Sequence, residues 1–148
     1  MGTTAQGTAT DELRGSFKQL MQAVRRLRGR EAQQRCAMSF AQYSLMRALA
    51  DGGPQSSGQL ASAAGLTPAA TTQMIDYLER EGVVERRRSG EDRRVVVLTL
   101  TGDGRRRLEV KHAEIEDRWT AALAGLEDDE LRDAARVLER LARMLDEL

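Results

Sequence analysis

The residues best suited to chemistry form one cluster. Between Arg86 and Arg94 five arginines (Arg86, Arg87, Arg88, Arg93 and Arg94) stand against Glu91 and Asp92, a local excess of 5 − 2 = +3. Over all 148 residues Lys+Arg and Asp+Glu are both 23, so the formal net charge is zero. A neutral chain is neither a polybasic coat nor an acidic tail, and any phosphate binding must come from this clustering. Other reactive types are sparse. The single cysteine, Cys36, excludes a disulfide framework, and the single histidine, His112, excludes a Cys/His zinc cluster. His112 and Glu116 stand four apart on one helix, but two ligands do not make a metal site, and the spacing reads as an ion pair. No GxSxG elbow, P-loop, Rossmann glycine set or HExxH pair is present, so the chain does not read as an enzyme and no cofactor is expected. Cys36 follows Arg35 near a helix start, a setting that can lower a thiol pKa, so a redox sensor is one alternative.

Apolar residues are 41% and charged residues 31%, a composition for one globular domain. The longest charge-free stretch, Gly52 to Ile75, contains both prolines and is no membrane span. The N-terminus carries no secretory signal, and a reducing, cytoplasmic setting is expected.

The elements that must position the arginines follow from spacing and caps. Residues 1–10 read as a disordered start. From Asp11 to about Arg30, Leu13, Phe17, Leu20, Val24 and Leu27 mark one helical face. A second helix holds Phe40, Tyr43, Leu45, Met46 and Leu49 and stops at Asp51-Gly52-Gly53-Pro54. Ser56-Ser57-Gly58-Gln59 is a capping box opening a short helix that closes at Gly65. Thr67 is an N-cap and Pro68 a first helical residue for the next helix, to Glu81, with Gly82 as its left-handed terminator. Two helices joined by so short a Gly-containing turn form a helix-turn-helix. Val83–Arg88 and Arg94–Leu100 then read as a β-hairpin, a wing that carries the arginine cluster. Thr101 caps a long helix with Leu108, Ile115, Trp119 and Leu123 on one face. A last helix after Glu127 repeats Leu131, Leu138 and Leu145 at heptad spacing. The terminal helices offer more apolar surface than one small winged helix can cover, which points to a dimer.

Asp92-Arg93-Arg94, the strand Val95 to Leu100, and Leu100-Thr101-Gly102-Asp103-Gly104 resemble the D-x-R wing, alternating strand and L-T-x-x-G signature of the MarR family of bacterial transcription regulators. Leu66-Thr67-Pro68-Ala69 and Leu78 to Val84 resemble that family's recognition helix and its exit into the wing. The resemblance covers about Leu13 to Leu148. It implies a mainly α fold with a small hairpin wing, arranged as a single domain over 11–148. Within it, 36–100 would form a winged helix-turn-helix DNA-binding lobe, and 11–35 with 101–148 the dimerisation helices. It also implies a homodimer on a pseudo-palindromic double-stranded DNA operator, usually a repressor released by a small aromatic or phenolic effector. A winged helix that binds protein instead of DNA is the other alternative.

On that reading the start of the recognition helix, Thr67, Pro68, Ala69, Thr71, Thr72 and Gln73, enters the major groove. Gln73 suits an adenine edge and the threonine methyls suit thymine. Arg86 and Arg88 are expected at phosphate, since strand side chains alternate faces. By resemblance one arginine of Asp92-Arg93-Arg94 enters the minor groove while Asp92 pairs with the other; Arg93 is favoured for the groove, although the two are interchangeable at this level. Phe17, Met21, Phe40, Tyr43, His112 and Trp119 are candidate effector-pocket residues, with ordinary core packing as the simpler reading.

Overall fold

A computed structural model describes residues 3–33 and 37–148. Along them run α1 (Thr3–Gln33), α2 (Phe40–Gly52), α3 (Ser57–Ala64), α4 (Pro68–Arg80), β1 (Val84–Arg88), β2 (Val96–Leu100), α5 (Gly102–Ala122) and α6 (Asp128–Asp146). The chain divides into two compact units, Met1–Lys111 and His112–Leu148.

In the first unit, caps set the starts of the short helices. Ser39 with Gln42 and Ser56 with Gln59 form complete capping boxes, and Thr67 Oγ1 accepts from the Ala70 amide at 3.3 Å ahead of Pro68. Gly65, at φ +64°, ends α3 in the left-handed region, so α4 restarts within three residues. α2 packs on α3, α3 on α4, α4 on β1 and α2 on β2. The core between them is Leu45, Met46, Leu60, Ile75 and Val84, all nearly inaccessible to solvent, with Leu49, Leu78, Val83, Leu98, Leu100 and Leu108 around it.

β1 and β2 pair antiparallel with Val84 opposite Leu100, Arg86 opposite Leu98 and Arg88 opposite Val96. A further bridge that the sequence pattern does not announce ties the hairpin to the α2–α3 turn. Gln55 N donates to Leu98 O at 3.3 Å and Leu98 N returns to Gln55 O at 2.7 Å. The Gln55 amide also holds the Ala48 carbonyl at 2.7 Å. At the far end of β2, Thr101 Oγ1 accepts from Gly104 N at 3.0 Å and donates to Gly82 O at 2.7 Å, fastening the first turn of α5 to the α4–β1 turn.

The N-terminus departs from expectation. α1 begins at Thr3 rather than near Asp11, because residues 3–10 hold no proline and one glycine, and nothing in them stops a helix. Leu13 and Leu20 remain exposed, while Phe17, Met21, Val24 and Leu27 are half-buried.

In the second unit, α6 opens with Glu127 N donating to Glu130 Oε2 at 2.8 Å, followed by Asp128 and Asp129 in the first turn, where the helix dipole favours acids. No residue of α6 is buried. Leu131, Val137 and Leu141 are half-buried while Leu138, Met144 and Leu145 are exposed, so the apolar strip of this strongly two-faced helix is only partly covered.

Candidate nucleic-acid interface

The helix that would read bases is built by its cap. Thr67, Pro68, Ala69, Thr72 and Gln73 lie exposed on the first turns of α4. Thr71 does not join them. It is 1% exposed, and its hydroxyl donates to Thr67 O at 2.9 Å. Thr71, Ile75 and Leu78 are spaced by four and three, the period of one helical face, and that face is the core. The sequence placement of Thr71 among groove contacts is therefore corrected, and its own spacing carried the signal. Of the exposed set, Thr67 spends its oxygen on the cap and Thr72 spends its hydroxyl hydrogen on Pro68 O at 3.0 Å. The Gln73 amide makes no hydrogen bond among the described residues.

The wing has a fixed tip and a neutralised root. At the tip, Asp92 Oδ1 accepts from Arg94 N at 2.9 Å and lies 3.8 Å from Arg94 Nε, while Val95 N donates to Asp92 O at 2.9 Å. Ser89 N closes the loop on Val95 O at 2.8 Å. Arg88 reaches the Arg93 carbonyl at 3.4 Å. The Arg93 guanidinium is exposed and has no partner among the described residues. Asp92 thus shapes the turn and pairs with Arg94, while Arg93 and Arg88 have no carboxylate partner among the described residues and Arg88 bonds only a backbone carbonyl.

At the root, the guanidinium of Arg86 is held between Asp76, at 2.7 Å, and Glu79, both on α4. The hydrogen bond to Asp76 is the main cause that raises the Arg86 pKa, opposed by partial burial and aided by the charge of Glu79. Arg87 pairs with Glu85 on its own strand. Arg86, expected at phosphate from its place in the run, is engaged within the protein, because two carboxylates three residues apart on α4 face its strand. The local excess of charge consequently narrows to the tip, where Arg88, Arg93 and Arg94 face Glu91 and Asp92. Away from the wing, Arg47 pairs with Asp51 at 3.1 Å and Arg107 with Asp103 at 2.8 Å.

The effector-pocket candidates are distributed over both units. Phe40 and Tyr43 stack loosely on α2, with centroids 6.0 Å apart at 38°; Tyr43 belongs to the core and Phe40 is exposed. His112 and Trp119 fall in the second unit, where His112 Nδ1 lies 4.0 Å from Glu116. Trp119 lines a cavity of about 600 Å³ with Leu123, Leu126 and Leu131, and the other five candidates do not line it. A cavity of about 330 Å³ in the first unit is bounded by Ser57, Thr72, Ile75, Arg86, Val96 and Leu98. Among the described residues no group of three His, Cys, Asp or Glu side chains is placed to hold a metal ion. Nor is any helix there long and apolar enough to cross a membrane. Cys36 lies outside the described residues.

The sequence profile of the MarR family matches residues 38–96, the span from the start of α2 to the first residue of β2. Over that span the chain is similar to the MarR family. It is similar to the HTH-type transcriptional regulator YdgJ of Bacillus subtilis, 28% identical over 128 residues, which are 86% of this chain and 78% of YdgJ. It is also similar to the transcriptional repressor MdtR of the same organism, 27% identical over 113 residues, 76% of this chain and 73% of MdtR. Among solved structures it shares its fold with BpsR of Bordetella bronchiseptica, at a TM-score of 0.64 and 24% identity over 84% of this chain and 98% of that one. The DNA binding of BpsR is regulated by 6-hydroxynicotinic acid. The chain has the winged-helix fold, and the relatives it matches are HTH-type transcriptional regulators.

Proposed function

We propose that the chain acts as a homodimeric, cytoplasmic repressor on a pseudo-palindromic operator. The observation that carries the DNA-contact part is the pairing of an open Arg93 guanidinium, at a wing tip shaped by Asp92, with an α4 start exposed at Thr67, Pro68, Ala69, Thr72 and Gln73. α4 would enter the major groove and Arg93 the flanking minor groove, with Arg88 and Arg94 near phosphate. Residues 36–100 would form the DNA-binding lobe, and 11–35 with 101–148 the dimerisation helices. The exposed Leu138, Met144 and Leu145 of α6 and the exposed Leu13 and Leu20 of α1 support that division.

A dimer would set two recognition helices about one helical turn of DNA apart. A small aromatic or phenolic molecule that binds a different spacing more tightly would release the operator by that difference in affinity. Regulation of BpsR by an aromatic acid supports this class of effector.

The test is selection of a preferred duplex from a randomised pool, followed by anisotropy titration over a salt series. Nanomolar binding whose logarithm falls linearly with log salt is the expected result; failure to select any sequence overturns the reading. On the selected duplex, Gln73→Ala should cost about 1–3 kcal/mol and relax preference at one base pair per half-site. Leu138→Ala should weaken the dimer roughly tenfold, about 1.4 kcal/mol, read by sedimentation equilibrium.

A further inference from the structure

Two carboxylates on the helix that enters DNA are a cost to any protein that binds a polyanion. Asp76 and Glu79 both stand on α4, three and six residues beyond the groove-facing Gln73, and both are turned to Arg86. Arg86 sits midway along β1, opposite Leu98, and Leu98 is itself bridged to Gln55 on the far side. The guanidinium uses different nitrogens for the two acids, Nη2 for Asp76 and Nη1 for Glu79, which a lysine ammonium cannot reproduce with the same rigid fork. All three side chains are more than a third exposed, so the pairs add little to global stability. What they do is join the base-reading helix to the wing strand.

We propose that Arg86 is a positioning residue for operator binding, bracketing β1 to α4 through Asp76 and Glu79 and so setting the span between Gln73 in the major groove and Arg93 at the wing tip. This rests on the DNA-binding reading above. An angular error at the root of a two-stranded ribbon is magnified at its tip. A wing free to swing would reach the minor groove from many orientations, and each operator contact would carry an ordering cost.

The sign of one substitution pair separates positioning from simple electrostatics. Asp76→Asn with Glu79→Gln removes two negative charges, frees Arg86 and preserves side-chain shape. If Arg86 were a phosphate contact restrained by its neighbours, the double variant would bind the selected duplex more tightly and its salt slope would steepen. As a positioning residue, its release should weaken binding to the selected duplex tenfold or more. Affinity for an unselected duplex of equal length should hold or rise, so the ratio of the two falls. Arg93→Ala should then cost less in the double variant than in the wild-type chain, because an unplaced wing has less to lose.

Arg86→Lys, which keeps the charge and loses the fork, should lower the same ratio and carries the test if the double variant does not fold, as judged by circular dichroism. A ratio unchanged in folded Arg86→Lys or in the folded double variant overturns the proposal, and so does tighter binding of the selected duplex. If the wild-type chain selects no sequence from the pool, the DNA-binding reading fails first. If it selects one and the variants keep the ratio, the bracket alone fails.

Discussion

Gly104→Ala is expected to destabilise the protein by about 3 kcal/mol, at the upper end of the cost of overpacking a site that cannot relax. A Cβ built on Gly104 would lie 2.0 Å from the carbonyl oxygen of Val83 and 3.0 Å from its carbonyl carbon. The obstacle is backbone. That oxygen accepts the Thr101 amide at 3.1 Å, the Val83 amide is bonded to Leu78 O at 3.1 Å, and the Val83 side chain is 2% exposed. The carbonyl cannot retreat without breaking the junction where α4, β1 and α5 meet. Gly102, two residues earlier, is the internal control. Its nearest neighbour for an added Cβ is Arg106 Nη1 at 3.7 Å, an ordinary contact. Gly102→Ala should stay within about 0.5 kcal/mol of wild type or gain slightly from reduced backbone freedom in the unfolded chain. Thermal denaturation at one protein concentration reads both. A fall on the order of 10 °C is expected for Gly104→Ala, and equal melting of the two variants would refute the close-approach account.

The same junction shows why parts of this fold were legible and others were not. Features decided within four residues of sequence stand in the chain as letters: the Ser56–Gln59 box, Thr67 before Pro68, and Gly65 after α3. The Ser39–Gln42 box carries the same S-x-x-Q signal and was equally readable. Thr71 was legible but easily misassigned, because a polar residue in a polar helix start looks like a contact until its spacing to Ile75 and Leu78 is counted. The bracket was not legible. It joins residue 86 to residues 76 and 79 across a turn, and an arginine in a basic run carries no mark that says which carboxylate will meet it. The start of α1 escaped for the opposite reason, since residues 3–10 carry no apolar periodicity and their helix is permitted by the absence of breakers.

On the proposed reading, Arg93→Ala is expected to weaken binding to the selected duplex by about 2–4 kcal/mol, or roughly 30- to 1,000-fold, because the proposed dimer would lose one minor-groove arginine per wing. The size follows from what surrounds the side chain. Arg86 is held by Asp76 and Glu79, Arg87 by Glu85, and Arg94 lies beside Asp92, so each has an anion within the protein before DNA arrives. Arg93 has none among the described residues, and its binding to the duplex displaces no internal pair. Arg94→Ala should therefore cost less, and Asp92→Ala should act indirectly by freeing the Arg94 amide and the turn it closes.

Salt dependence separates charge from shape. Arg93→Ala should flatten the slope of log affinity against log salt by about one per wing, as counterion release predicts for a lost cation, while Asp92→Ala should lower affinity with little change of slope. Sedimentation of the Arg93→Ala protein must still show the dimer. If that dimeric variant binds the selected duplex like wild type, the wing tip is not the minor-groove element. If affinity is lost with the dimer intact, a winged helix that works only by binding other proteins is excluded.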